Sequence, residues 1–203
     1  MNKARFEAFS DGVFAFAITL LALGFVLPEM RSPSNRELAG ALLHLWPNLI
    51  AYALSFLVIG LMWQNHHALF RLVSHVDRKT VFWNLLLLGG TVLIPFATTT
   101  LGSYPTRSPS TFLYGLVLSS CAAFYNLMLT HLARTNAFTS DVDPKAIAAT
   151  VRGYRMGLLV YAGATIVALV LPIVSFAAYL AIVAYFVVPR GADSDTPLSA
   201  RNW

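Results

Sequence analysis

The chain has 203 residues, of which 57% are hydrophobic and only 11% are charged, and its formal net charge is +5. A soluble domain carries roughly 25% charged residues, so this composition excludes an ordinary soluble protein and indicates an integral membrane protein. Basic side chains in inner loops beside anionic lipid account for the positive charge. The expected partner is therefore a lipid bilayer, and no nucleic-acid partner is predicted.

The first predicted element is the segment FEAFSDGVFAFAITLLALGFVL, residues 6–27. It is apolar from Gly12 onward, but Glu7 and Asp11 precede the apolar run. A bilayer core about 30 Å thick needs about 20 helical residues, so the segment is long enough to span a membrane. Because the two acids argue against a cleaved signal peptide, we predict a retained transmembrane helix.

Later apolar runs predict further spans at about 47–65, 81–101, 111–131, 155–171 and 173–189. The last two spans come from a single run, residues 156–188, which Pro172 interrupts. As one helix this run would be about 50 Å long, so a hairpin of two short spans is favoured. The predicted fold class is an all-α integral membrane protein with six transmembrane helices per subunit.

The distribution of basic residues predicts the orientation. With six spans and a cytoplasmic N-terminus, 11 of the 14 basic residues fall in inner segments, and only Arg31, Arg36 and Arg107 lie outside. This bias satisfies the positive-inside rule. We therefore predict a multi-pass protein of the cell (inner) membrane with both termini cytoplasmic, a membrane domain over residues 1–190, and a disordered cytoplasmic tail over 191–203.

The first helix has one face of large apolar side chains. Residues on a helix advance by about 100° each, and at this spacing five of them form one column: Phe9, Phe16, Leu20, Leu23 and Leu27. A stripe of small residues, which lets membrane helices approach closely, lies beside the column: Ala8, Gly12, Ala15, Thr19 and Ala22.

Asp11 lies away from this column and near the inner edge of the hydrocarbon. An ionisable group at this depth is costly and normally has a partner. The candidate partners are Arg5, His66, His67, Arg71 and Asn84. Alternatively, Ser10 and Asp11 cap the N-terminus of the helix.

No metal site or cofactor is predicted. His66 and His67 are adjacent and so diverge on a helix, and neither has a carboxylate one turn later. Cys121 is the only cysteine, so an intrachain disulfide is impossible, and a packing role is expected for it.

Two stretches of the sequence resemble a known family. Arg5 and Phe9-Ser10-Asp11 form the pattern R-x-x-x-F-S-D, and FSDGVFAFAITLLAL resembles the first helix of the transmembrane protein 175 (TMEM175) family of potassium channels. The stretch WQNHHALFRLVSHVDRKTVFWNLLLL, residues 63–88, is similar to the region of the second and third helices in that family. The resemblance implies a potassium-permeable, and by expectation potassium-selective, ion channel rather than an enzyme, with potassium as the permeant ion.

The resemblance also implies an assembly and a set of functional residues. Single-repeat members form homotetramers, so residues 1–190 would form one channel subunit whose first helix lines a central pore. A hydrophobic gate would consist of Phe16, Leu20 and Leu23, with Thr19 as a polar ring and Leu27 in the same column. The motif residues, together with a polar network, would hold the helix in place: Arg5, Phe9, Ser10, Asp11, His66, His67 and Asn84.

A proton-coupled secondary transporter is the alternative. In this hypothesis Asp11 and either His66 or His67 would carry protons. Transporters usually contain internal repeats and polar groups near the membrane midplane, and the sequence shows neither clearly.

Overall fold

A computed structural model describes residues 2–140 and 142–187, and this part of the chain is all-helical. A short 3₁₀ turn, Leu21–Gly24, continues the first helix. The α-helices are α1 (Lys3–Leu20), α2 (Asn35–His44), α3 (Trp46–Arg71), α4 (Arg78–Ser103), α5 (Ser108–Arg134), α6 (Pro144–Val167) and α7 (Pro172–Val187).

The prediction of six membrane-spanning helices is wrong. In the described part of the chain, four helices are long and apolar enough to cross a membrane, namely α1 with its 3₁₀ turn, α3, α4 and α5. Helix α6 carries Lys145, Arg152 and Arg155 in its first half. Helix α7 has only 16 residues, or about 24 Å, which is shorter than a bilayer core. The prediction that both termini are cytoplasmic was based on six spans and loses that basis. The predicted disordered tail, residues 191–203, lies outside the described residues.

Helix α4 is the centre of the bundle because it packs against α1, α3 and α5. The core between these helices is made of large apolar side chains such as Phe14, Ile59 and Leu87, each at most 1% exposed. Cys121 is buried on α5, in agreement with a packing role. Helix α6 is less enclosed, since Thr165 alone is buried among its described residues.

Loops from three parts of the chain meet at the end where α1 begins. Lys3 Nζ donates a hydrogen bond to the carbonyl oxygen of Val73 at 2.7 Å. Val73 forms an isolated antiparallel bridge with Phe138, and Ser74 N donates to the carbonyl oxygen of Ala137 at 2.8 Å. The start of α1, the α3–α4 turn and the α5–α6 connection are thereby joined.

Asp77 fixes the first turn of α4 and ties it to α5. Its carboxylate accepts hydrogen bonds from Thr80 N at 2.8 Å and Thr80 Oγ1 at 2.7 Å, and its second oxygen lies 2.8 Å from His131 Nε2. Partial burial raises the pKa of Asp77, but the hydrogen bonds from Thr80 and the contact with His131 outweigh it, so the pKa lies well below its usual value. Asp77 is therefore an ionised N-cap.

Gly102 permits the close approach of α4 and α3. A Cβ atom at this position would lie 2.7 Å from the Cα atom of Asn48, and a backbone atom cannot move aside as the end of a side chain can. By contrast, a Cβ atom at Gly89, on the same helix, would meet nothing within 4 Å.

Gly102→Ala is expected to destabilise the protein by about 1–3 kcal/mol, because the added methyl group overpacks the contact with Asn48. Gly89→Ala is the matched control and should be neutral or stabilising, by up to about 1 kcal/mol, because alanine favours a helix more than glycine does. Thermal unfolding in detergent measures both. Equal melting temperatures for the two variants would contradict the close approach.

Candidate pore-lining helix and its polar network

Helix α1 is covered on one face and uncovered on the other. Phe6, Ser10, Phe14 and Ala17 are buried on the side that packs against α3 and α4. The opposite side carries large apolar groups that remain exposed in this chain: Phe9 at 56%, Phe16 at 59% and Leu23 at 72%. We call Phe9, Phe16 and Leu23 with the small residues between them the open face of α1.

The other predicted gate residues differ in their positions. Leu20 is half-buried at the edge of the open face. Thr19 is exposed, and its Oγ1 donates to the carbonyl oxygen of Phe16 at 2.7 Å, so the hydroxyl bonds to its own helix. Leu27 follows the end of the 3₁₀ turn at Gly24, so the helical spacing that placed Leu27 in the column does not apply to it.

The stripe of small residues also belongs to the open face. Ala8, Gly12, Ala15 and Ala22 are exposed, and a Cβ atom at Gly12 would meet nothing within 4 Å. The stripe, of a kind that lets membrane helices approach closely, is therefore not packed against another helix in the described part of the chain. The stripe and the large apolar column together form a broad surface of α1 that no other described helix covers.

Ser10, Asn84 and His66 form a buried hydrogen-bonded chain, which we call the Ser10 network. Asn84 Nδ2 donates to Ser10 Oγ at 2.9 Å, and Asn84 Oδ1 lies 2.9 Å from His66 Nε2. Ser10 Oγ in turn donates to the carbonyl oxygen of Phe6 at 3.0 Å. All three polar residues are at most 1% exposed, so the network joins α1, α4 and α3 inside the bundle.

Aromatic rings enclose His66 on the remaining sides. Its ring centroid lies 4.6 Å from that of Phe70, 5.4 Å from that of Phe14 and 6.1 Å from that of Phe6. Apolar rings supply no ligand to a metal ion. Among the described residues no group of three or more His, Cys, Asp or Glu side chains could hold a metal.

Asp11 has a partner that was not among the predicted ones. Trp63 Nε1 donates to Asp11 Oδ1 at 2.9 Å, and the Trp63 ring stacks on His67 with centroids 5.9 Å apart. Trp63 opens the stretch WQNHHALF, and its indole N–H can only donate, so a signal was present in the sequence. His67 thus contributes by stacking, whereas His66 contributes by hydrogen bonding.

The capping alternative for Ser10 and Asp11 is wrong. Helix α1 begins at Lys3, and its N-cap is Asn2, whose side chain accepts a hydrogen bond from Ala4 N at 2.9 Å. Ser10 and Asp11 lie two turns inside the helix.

The R-x-x-x-F-S-D motif divides between the two faces of α1. Ser10 and Asp11 bond to α4 and α3, whereas Arg5 and Phe9 are exposed. Arg71 is exposed as well. The cation that anchors the beginning of α1 is Lys3, which bonds to the α3–α4 turn and lies 3.6 Å from Glu7.

Comparisons with known proteins identify relatives among membrane channels. The family described as endosomal/lysosomal potassium channel TMEM175 matches residues 5–95. A protein named as a potassium channel in Streptomyces collinus is 41% identical over 167 residues, which cover 79% of this chain and 80% of the relative. One in Chamaesiphon minutus, also named as a potassium channel, is 36% identical over 160 residues, covering 77% of this chain and 79% of the relative.

The human relative is named as an endosomal/lysosomal proton channel, TMEM175. It is 37% identical over 103 residues, which cover 48% of this chain but only 20% of the human protein. The chain therefore matches about one fifth of that longer relative.

Two solved structures share the fold. The crystal structure of a lysosomal potassium-selective channel TMEM175 homolog from Chamaesiphon minutus superposes with a TM-score of 0.81 and 32% identity, covering 91% of this chain and 95% of that one. A variant of the potassium channel MtTMEM175, solved with a nanobody fusion protein, has a TM-score of 0.66 and 20% identity over 90% of each chain, a likeness of fold alone.

Asn84→Leu is expected to destabilise the protein by about 1–3 kcal/mol, because it leaves the buried His66 N–H without an acceptor while nearly preserving side-chain volume. Trp63→Phe is the control: water can solvate the half-buried Asp11 carboxylate, so its loss should be below about 1 kcal/mol. Melting temperatures in detergent measure the difference. If Asn84→Leu were as stable as the wild type, the Ser10 network would not hold α1.

Proposed function

Because the chain belongs to the TMEM175 family, we propose that it is a subunit of a potassium-selective homotetramer in which the open face of α1 lines the central pore. The predicted membership of this family is confirmed by the family match and by the bacterial relatives. The prediction of a multi-pass membrane channel rather than an enzyme is confirmed with it, since the relatives are named as channels.

The observation that carries the proposal is the exposure of large apolar side chains on only one side of α1. Phe16 and Leu23 are more than half exposed in the subunit, while the other side of the helix is buried against α3 and α4. Such a face must meet lipid or another subunit. The similarity to a potassium-selective channel homolog supports the second possibility, with four open faces meeting around an axis.

In a tetramer the open faces would produce stacked apolar rings. Phe16 and Leu23 are seven residues apart, or about 10 Å along the helix axis, and they form two separate rings. Leu20 lies beside the axis between them. A narrow apolar ring can gate by losing its water, so the gate needs no charged side chain.

The Ser10 network would set the direction of the open face. It bonds α1 to α4 and α3 on the side opposite Phe16, and Asp11 adds a second bond through Trp63. With these contacts in place, rotation of α1 about its own axis would break buried hydrogen bonds. The motif is thus a positioning device and not an ion-binding site.

The transporter alternative has no support in the described part of the chain. Asp11 bonds to Trp63, whereas His66 bonds to Asn84. His67 stacks on the Trp63 ring, and among the described residues no hydrogen bond joins Asp11 to either histidine.

Leu23→Ala is expected to raise single-channel conductance, because it removes most of an apolar ring from the pore. Purified protein in planar bilayers under a potassium-against-sodium gradient gives both the conductance and the reversal potential. The wild type should reverse towards the potassium potential. Leu159→Ala is the matched control, since Leu159 is a leucine with 59% exposure on α6, whose described residues do not contact α1.

Two results would contradict the proposal. Current that is equal in the wild type and in Leu23→Ala would place the pore elsewhere. The homotetrameric channel would be excluded if the measured mass of the purified protein differed from that of four subunits and the protein carried no current.

A further inference from the structure

A cleft of about 470 Å³ lies between the first two turns of α4 and the last two turns of α5. We call it the α4–α5 cleft. These helices run antiparallel, so the beginning of one and the end of the other meet at the same end of the bundle. Both are membrane-length helices, so the cleft lies at the level where the hydrocarbon ends.

The rim of the cleft is basic. Arg78 and Lys79 from α4 and Arg134 from α5 line it, and all three are exposed. Within residues 2–140 and 142–187, none of these three cations forms a salt bridge. The nearby carboxylate of Asp77 bonds to Thr80 and contacts His131, so among the described residues it pairs directly with none of the three cations, and three basic groups stand against one carboxylate.

The inner part of the cleft is apolar. Phe82, one turn after Arg78, is 54% exposed, and Leu127, two turns before Arg134, is 45% exposed. Trp83 completes this wall. A charged rim above an exposed apolar wall is complementary to a molecule with an anionic head and a hydrocarbon chain.

We propose that the α4–α5 cleft binds an anionic phospholipid, with its phosphate on Arg78, Lys79 and Arg134 and an acyl chain along Phe82 and Leu127. Basic side chains near the membrane surface attract anionic lipid, and arginine forms paired hydrogen bonds with phosphate oxygens. The N-terminus of α4 is not the binding element, because Asp77 already accepts the Thr80 N–H.

The apolar wall distinguishes a lipid from a free phosphate. A soluble phosphate would gain only the three cations, which salt screens at the surface. An acyl chain would also remove the exposed side chains of Phe82 and Leu127 from water. The occupant is therefore a lipid rather than a soluble anion.

The test is lipid retention by the full-length protein. Purified protein is incubated with phosphatidylglycerol or phosphatidylcholine, and bound lipids are counted by native mass spectrometry. The variant R78Q/K79Q/R134Q should lose on the order of 100-fold in affinity for phosphatidylglycerol, since each basic residue contributes roughly fivefold. Affinity for phosphatidylcholine should change little.

The control variant K145Q/R152Q/R155Q removes the same number of charges from exposed positions on α6. It should retain phosphatidylglycerol as the wild type does. Equal losses in both variants would show general attraction to the charged surface and would overturn the site. Displacement of the lipid by glycerol phosphate at equal concentration would show that a soluble anion suffices, and would overturn the choice of a lipid.

Photolabelling of the wild-type protein keeps the proposal testable if the cleft variant does not fold. A photoactivatable phosphatidylglycerol should label peptides that contain residues 78–83 and 127–134. Labelling that is confined to other helices would overturn the proposal.

Discussion

The rotation of α1 depends on one buried chain of hydrogen bonds, from Ser10 through Asn84 to His66. Each of these groups is enclosed by the bundle, where a polar group without a partner is costly. Helix α1 can therefore take only the rotation that brings Ser10 to Asn84. A change of one residue in register would turn every side chain of α1 by about 100° and would break the chain.

This constraint connects a polar motif to an apolar surface. Because Ser10 must face α4, the residues on the far side of the helix, Phe9, Phe16 and Leu23, must face away from the subunit. The aromatic rings around His66 reinforce the arrangement, since Phe6 and Phe14 extend from the same side of α1 as Ser10. The motif thus sets the direction of the helix: a few buried polar atoms decide which apolar side chains of α1 remain exposed on the surface of the bundle.

Periodicity and hydropathy predicted the local features, and they failed where contacts between distant segments decide the structure. The predicted spans 47–65, 81–101 and 111–131 fall within α3, α4 and α5, and the exposed column of Phe16 and Leu23 follows from helical spacing. Leu27 departs from that spacing because the α-helix is followed by a 3₁₀ turn that ends at Gly24. At Gly24 the chain passes close to α4, since a Cβ atom there would lie 2.5 Å from Thr99 Oγ1. The apolar run 156–188 indicated two membrane spans. Helix α6, however, carries charged residues in its first half, and α7 is shorter than a bilayer core is thick. The Asp11 partner was not predicted, because the expected partners were arginine, histidine and asparagine side chains, whereas Trp63 is an aromatic residue with a single neutral donor.

The measurement that tests the pore assignment most directly is the accessibility of single cysteines from water in the conducting channel. Cys121 is buried, so currents of the wild type should resist a water-soluble thiol reagent. Currents of Phe16→Cys and Leu23→Cys should be blocked. Currents of Leu116→Cys should be unchanged, because Leu116 is exposed on α5, a helix that does not contact α1 in the described part of the chain. Block of Leu116→Cys together with unaffected currents in Phe16→Cys and Leu23→Cys would contradict the account, because the water-filled path would then lie away from the open face of α1.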